Sequence, residues 1–327
     1  MGKKIVAIAM GGYSSEFEIS IKSGEVVYDA MDKNQFEIYK VHILKNNWHY
    51  VFPDGRKVVV NKENFGCAYN GNTIIPDVVF NTIHGTPGED GMLASYLELI
   101  NIPQTSAAFH QAALSFNKRD CLSVLKKLGI NCAESIYINK GDVIDTKKII
   151  NTVGLPCFVK PNRAGSSFGI SRVQTAEMLP KALLEAYKED TEVLIESELV
   201  GTEVSVGVYK HKGEIQILNP TEIVSENDFF DYEAKYQGKS QEITPARIST
   251  KDKKTVQKVA KQIYQLLNMK GVTRTDFIIQ NGVPYFIEIN TTPGLSKESI
   301  IPKQLSDAQI SLSHFFTMLV MDAIDNK

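Results

Sequence analysis

The chain has 327 residues, 43% of them hydrophobic and 23% charged, with a formal net charge of −2. These values describe an ordinary globular protein with room for two or three subdomains. They exclude a nucleic-acid stripe or a polybasic membrane patch. The four cysteines (Cys67, Cys121, Cys132, Cys157) form no C-x-x-C pair and have no clustered histidines. Neither a zinc site nor a disulfide framework is implied, and free thiols in a reducing compartment are expected.

At the start, Lys3-Lys4 precedes an apolar run, Ile5–Met10, that is too short for a signal peptide and ends at Gly11-Gly12. It predicts a first buried strand. Met1-Gly2 is no myristoylation signal, because Val6 stands where Ser or Thr is required. No apolar stretch approaches the roughly 20 residues needed to span a bilayer, so a cytoplasmic protein is expected. Ser15-x-x-Glu18 resembles a capping box, followed by a helix with Ile19, Ser23, Val26, Val27, Ala30 and Met31 on one face. Strands are predicted over Phe36–Leu44 and Pro76–Asn81. A Gly-rich loop, His84-Gly85-Thr86-Pro87-Gly88-Glu89-Asp90-Gly91, leads into a helix over Met92–Ile100. This βαβ pattern implies a parallel sheet with ligands at the carboxyl ends of its strands, where both Gly-rich loops fall.

Ile102-Pro103-Gln104-Thr105 marks a boundary, giving a first domain over 1–104. Two helical stretches follow, the second over Lys118–Leu128. Strand Cys157–Lys160, the turn Gly165–Gly169, strand Ile170–Val173, helix Leu179–Tyr187 and strand Val193–Glu196 complete a central unit over 105–196. The last unit, 197–327, has strands Glu203–Tyr209 and Ile215–Leu218, then a polar aromatic stretch, Phe229–Tyr236, suited to a closing lid. A helix over Val256–Leu267 leads to strands Thr273–Gln280 and Tyr285–Asn290, joined by Asn281-Gly282, a strong hairpin signal.

Three segments carry chemistry. In Lys160-Pro-Asn-Arg-Ala-Gly-Ser-Ser-Phe-Gly169, small residues let backbone N–H groups approach phosphate oxygens while a strand lysine supplies charge. It is not a Walker loop, and a plain hairpin turn with a surface lysine is the competing reading. Asp276 lies on one strand of the last hairpin, with Glu288 and Asn290 two apart on the other. A period of two puts that pair on one face, so three oxygens could hold Mg2+ against nucleotide phosphates. The alternative is a solvated edge-strand face. Finally, Thr291-Thr-Pro-Gly294-Leu-Ser296 could offer the Gly294 N–H to an oxyanion, and Arg274, on Asp276's face, could clamp a carboxylate.

These motifs occur in order with Met10-Gly-Gly-Tyr-Ser-Ser-Glu16, the His84–Gly91 loop and Asp231-Tyr-Glu-Ala-Lys-Tyr236. Together, over the whole chain, they resemble the D-alanine–D-alanine ligases of the ATP-grasp superfamily. The resemblance implies an α/β, three-subdomain ATP-grasp fold with an N-terminal parallel-sheet (pre-ATP-grasp) domain. ATP is then clamped between the second and third parts. By the same resemblance Glu16 binds the ammonium of the first D-alanine and His84 lies near its carboxylate. Lys118 and Lys160 reach the ATP phosphates. Ser166, with Ser167 in the phosphate loop, links Glu16 to Tyr236, and Lys235 reaches the transferred phosphate or a substrate carboxylate. Glu196 opens the adenine-contacting segment through Leu199, Glu203 binds ribose, and Ser299 binds the second alanine's carboxylate.

The implied reaction phosphorylates one D-alanine carboxylate and lets the second D-alanine's amine attack the acyl phosphate. Arg274 and the Gly294 N–H stabilise the oxyanion. Asp276, Glu288 and Asn290 hold Mg2+ or Mn2+, implied as two ions, and the enzyme is implied to be a homodimer serving peptidoglycan synthesis. The sequence departs from the family pattern at Ala164, Glu198, Phe230 and Lys297-Glu298. Competing readings are a D-alanine–D-lactate ligase, another ATP-grasp carboxylate–amine ligase, and a non-catalytic nucleotide-binding regulator. Tyr236 favours the dipeptide over the depsipeptide. Glu16, Tyr236 and Ser299 together argue against another ligase, and the Asp276/Glu288/Asn290 set with Arg274 argues against a mere binder.

Overall fold

The computed structural model describes residues 2–165, 168–225 and 240–326. The first part runs β1 (Lys4–Gly11), α1 (Phe17–Ala30), β2 (Phe36–Leu44), β3 (Asn47–Val51), β4 (Lys57–Val59), a small hairpin of β5 (Cys67–Tyr69) and β6 (Asn72–Ile74), β7 (Val78–Asn81) and α2 (Met92–Leu99). Its sheet has the order β4-β3-β2-β1-β7. Strand β1 is parallel to both β2 and β7, whereas β3 and β4 are antiparallel additions. As the central strand, β1 is covered on both sides, which is why Val6–Met10 can be apolar without alternation. Val6, Ile8 and Met10 join one core cluster while Ala7 and Ala9 join another.

The parallel sheet expected from the sequence is therefore present, extended by an antiparallel meander that the pattern did not announce. Lys45-Asn46, between β2 and β3, carries no Gly, and strands of three to five residues are too short to show alternation, although Asp54-Gly55 lies between β3 and β4. The expected capping box does not form. Helix α1 has Glu16 at its N-cap position with no side-chain cap. The Ser14 hydroxyl instead accepts from the Glu16 N–H and donates to the His84 carbonyl, tying this loop to its neighbour. The strand expected from Pro76 begins only at Val78.

The middle stretch comprises α3 (Phe109–Phe116), α4 (Lys118–Lys127), β8 (Ser135–Asn139), α5 (Thr146–Val153), β9 (Cys157–Pro161), β10 (Ser171–Val173), α6 (Leu179–Ala186) and β11 (Glu192–Ser197). Its sheet, β10-β9-β11-β8, is antiparallel throughout. One face packs Val159, Val173, Val193 and Ile195 on α5 and α6. Helices α3 and α4 pack elsewhere: Ala112, Cys121, Leu122 and Leu125 belong to the core of the last sheet. Asn117 caps α4 by accepting from the Asp120 N–H, and Gly129 at φ +81° ends it.

The final stretch comprises β12 (Thr202–His211), β13 (Glu214–Ile217), β14 (Thr221–Ser225), β15 (Ser240–Ile243), α7 (Thr250–Leu266), β16 (Val272–Gln280), β17 (Val283–Asn290), α8 (Ile300–Asp307) and α9 (Leu312–Asp325). Its sheet runs β15-β14-β12-β16-β17, with β13 on β12. Helix α7 starts six residues before the expected Val256, because Ser249 caps it by accepting from Asp252 N–H and its first turns are polar. The Asn281-Gly282 turn has positive φ at both residues, as a two-residue hairpin requires. Helix α9 returns to the first sheet, where Phe316 meets Phe80 at 5.5 Å between ring centroids. No helix among the described residues is long and apolar enough to cross a membrane.

Candidate active site

A cleft of about 410 Å³ opens where the first and last sheets meet the glycine-rich loop. Glu16, His84, Lys118, Arg274, Glu288, Asn290, Gly294 and Ser299 all line it. These residues come from five separate segments of the chain, and the fold alone brings them together.

From the first sheet, two loops at the carboxyl ends of β1 and β7 supply Glu16 and His84. They are bound to each other by Ser14 and by the Tyr13 N–H donating to the Thr86 carbonyl at 2.8 Å. Gly165 presses on Glu16: a Cβ at 165 would stand 2.5 Å from a Glu16 carboxylate oxygen. Only glycine lets the backbone of the glycine-rich loop come this close. His84 is 7% exposed, with its Nε2 3.5 Å from Ser23 Oγ. Burial lowers its pKa, Glu16 opposes that, Arg274 adds to it, and a hydrogen bond to the Thr292 main chain opposes it again. The net result is a neutral imidazole at pH 7. Ser23 also accepts from the Leu295 N–H, which pins the Thr291–Ser296 segment against α1.

The last sheet presents side chains from strand faces. Across β16 and β17, Arg274 pairs with Asn290 and Asp276 with Glu288, so all four share one face. The register shifts between Asp276 and Phe277, and the bulge changes which residues face inward. Simple alternation would put Phe286 on the face of Glu288. With Ile287 as the extra residue, Phe286 instead pairs with Phe277 in the core, 6.4 Å between rings.

Asp276 is 8% exposed and does not line the cleft itself. It accepts two bonds from Arg274, at 3.0 and 2.7 Å, one from Ser205 Oγ at 2.6 Å and one from Asn290 Nδ2 at 3.3 Å. Burial opposes the Arg274 charge, but Asp276, with Glu288 and Glu242 beyond it, raises the arginine's pKa overall. Glu288 lies 3.4 Å from the Lys118 ammonium. Two carboxylates and an amide on one strand-pair face are a hard-oxygen donor set, with lysine and arginine now facing them, so the residues fit a divalent cation such as Mg2+.

Lys118 also donates to the Ala164 carbonyl at 2.9 Å. Asn162, wholly buried, accepts from the Lys118 and Arg119 N–H groups and so fixes α4 to the end of β9. Lys160 stands away from the cleft lining, 2.7 Å from Glu196 on the same sheet face. Burial opposes its charge, but Glu196, then Glu288 and Glu203, raise its pKa overall. Leu199 is half-exposed beyond β11, and Glu198 pairs with Arg172 at 2.7 Å. Ser166, Ser167, Lys235 and Tyr236 lie outside the described residues, as does the Phe229–Tyr236 stretch with Phe230.

Gly294 backs onto Ser299, whose hydroxyl would lie 2.7 Å from a Cβ at 294. Sequence reasoning assigned no role to Glu89, Ser23 or Asn162. Glu89 was visible within the Gly-Glu-Asp-Gly segment, whereas Ser23 and Asn162 act through contacts that no local pattern signals.

Family models described as D-ala D-ala ligase N-terminus and C-terminus match residues 5–107 and 124–321. A D-alanine–D-alanine ligase of Flavobacterium johnsoniae is 56% identical over 314 residues, covering 96% of this chain and 97% of its own. One from Parabacteroides distasonis is 40% identical, covering 99% of both. Among solved structures, the VanG D-Ala:D-Ser ligase from Enterococcus faecalis superposes with a TM-score of 0.88 at 30% identity, covering 98% of this chain and 99% of its own. The D-alanyl-alanine synthetase A of Vibrio cholerae gives 0.89 at 27%, covering 100% of both.

Proposed function

The chain belongs to the D-alanine–D-alanine ligase family, and from that premise we propose how its own residues carry out the ATP-dependent joining of two D-alanines for peptidoglycan precursors. The observation that carries the reading is the convergence of Glu16, His84, Arg274, Gly294 and Ser299 in one cleft with Lys118 and Glu288 at its edge.

In this reading Glu16 receives the ammonium of the donor D-alanine, and neutral His84 stands beside its carboxylate without adding charge. The donor carboxylate oxygen attacks the γ-phosphorus of ATP, and ADP leaves. Lys118 and Lys160 neutralise phosphate charge, with Glu196, Leu199 and Glu203 toward the base and ribose. The acceptor's carboxylate is held at Ser299, and its amine attacks the acyl phosphate carbon. The oxyanion is stabilised by Arg274, already oriented by Asp276, and by the Gly294 N–H; phosphate then departs as the amide forms. Asp276, Glu288 and Asn290 would hold one or two Mg2+ or Mn2+ ions, whose contribution is to neutralise phosphate charge. Ser166, Ser167, Lys235 and Tyr236, with the lid stretch, complete the reading from the family resemblance.

The three-part division at 104 and 196, the homodimer and a cytoplasmic location belong to the same proposal. The last is supported by four cysteines that are all free. The test is phosphate release from ATP with Mg2+, comparing D-alanine, L-alanine, and D-alanine plus D-lactate. Release with D-alanine alone, accompanied by dipeptide, is expected. Release only with D-lactate would replace the dipeptide by the depsipeptide, and no release would leave a ligase with a different acceptor or a nucleotide binder.

A further inference from the structure

We propose that Glu89 is the second carboxylate of the ammonium pocket, bracketing the donor D-alanine's ammonium against Glu16. The inference rests on the reading of Glu16 given above and extends it to a residue with no assigned role. Glu89 lines the same cleft as Glu16, His84 and Arg274. Both carboxylates flank Gly85: its N–H donates to Glu89 at 3.1 Å, and a Cβ on it would lie 3.9 Å from Glu16 Oε2.

The position of Glu89 is set by its backbone. The Glu89 and Gly88 N–H groups both donate to the Gly85 carbonyl, at 2.8 and 2.9 Å, closing a tight turn. Gly88 is packed so closely that a Cβ there would meet Ile83 at 2.4 Å. The turn therefore holds the Glu89 side chain at the cleft. Among the described residues, that side chain makes no salt bridge.

A half-buried carboxylate with a single neutral donor and a second carboxylate nearby is costly when ionised. The groups facing it are Glu16 from the loop before α1, Glu288 from β17, Lys118 from α4, and the Gly85 N–H of its own loop. Burial first, then the Glu16 charge, pushes its carboxyl up to about 7; Glu288 adds to this, while the Gly85 N–H and Lys118 oppose it. Near neutrality Glu89 therefore carries a proton for part of the time in the empty pocket. An arriving ammonium supplies a positive charge instead, and Glu89 gives its proton to solvent. The ammonium keeps all of its own protons and donates to two carboxylates rather than one.

The experiment is calorimetric titration of the full-length enzyme with D-alanine and with propionate, which has the same carboxylate and no ammonium. Glu89→Gln is expected to weaken D-alanine binding about tenfold or more at a pH of about 8. Propionate binding should stay unchanged. Lowering the pH to about 6 should weaken D-alanine binding in the native enzyme and not in the variant, because protonation through about 7 removes the charge that substitution already lacks. A folded-state pKa above the ordinary 4.5 means that ionised Glu89 costs stability as pH rises, so the empty variant should also melt higher at the alkaline pH. A merely structural residue would give a lower melting temperature. D-alanine binding like the native enzyme's, or equal losses for both ligands, would overturn the proposal. Glu16→Gln separates the two levels: if it loses D-alanine while Glu89→Gln does not, only this inference falls. If Glu16→Gln also binds normally, the ammonium pocket itself is misplaced.

Discussion

The first and last sheets contribute to the cleft by opposite means. The first sheet delivers Glu16, His84 and Glu89 from loops beyond β1 and β7, where glycines let backbones meet. The last sheet delivers Arg274, Asp276, Glu288 and Asn290 from the strand faces themselves, where register decides what points inward. A loop site depends on close approach, so it is vulnerable to any added atom. A strand site depends on pairing and charge balance, so it tolerates bulk nearby but not the loss of a partner.

The largest break in this contrast should come from the strand side. Arg274→Ala removes the proposed oxyanion clamp and leaves Asp276, 8% exposed, without its counter-ion. Turnover should fall about 10²- to 10³-fold. Stability should drop about 3–5 kcal/mol, as expected when one partner of a buried pair is lost. Steady-state kinetics and urea unfolding measure both. Undiminished turnover in a folded variant would remove Arg274 from the chemistry.

Next in size is a break on the loop side. In Gly88→Ala the new methyl would meet Ile83 Cβ at 2.4 Å and the Ile83 carbonyl at 2.5 Å, and backbone cannot yield as a flexible side chain does. A loss of about 2–3 kcal/mol is expected, with a raised KM for the first D-alanine and the strand-borne residues undisturbed. If KM for both alanines rose equally, the two ends of the cleft would be less independent than their construction implies.

The smallest effect sharpens the comparison by pH. His42, His49 and His84 all belong to the first sheet or its loops, and burial lowers the pKa of each from the ordinary 6.5. Lys57 adds to the depression at His42 and His49. Below 6.5 the unfolded chain then binds more protons at these histidines than the folded one, so their contribution to stability falls as pH drops. Glu89 in the β7–α2 loop contributes with the opposite sign, which leaves His42 and His49 on β2 and β3 as the acid-sensitive pair. Hydrogen exchange at mildly acid pH should loosen β2 and β3, which carry His42 and His49, before β16 and β17. Simultaneous loosening would show that the two sheets unfold as one unit.

Much of this was legible in the residues. The Ile5–Met10 run, the Asn281-Gly282 turn and the Cys157–Lys160 strand are local signals, and each appears where the pattern puts it. Glu288 and Asn290 were correctly placed on one face by period two, because that spacing survives in the stretch beyond the bulge. The short strands β3 to β6 were not read from the pattern, since three to five residues carry too little periodicity to stand out, although Asn70-Gly71 between β5 and β6 is the same turn signal as Asn281-Gly282 and was there to be used. Nor was the Ser14 hydroxyl at α1, because its partner, the His84 carbonyl, is 70 residues away.

By itself, then, the sequence determined which residue types exist and on which strand, helix or loop they ride, because propensity and periodicity act over a few residues. The tertiary structure decided what faces what. It chose the bulge that separates Phe286 from Glu288, because only the packed core could reward burying that ring. It docked α3 and α4 on the last sheet and α9 on the first, where apolar faces found cover. It also set Glu89 beside Glu16, a relation that arises only when two loops far apart in the chain close on one glycine.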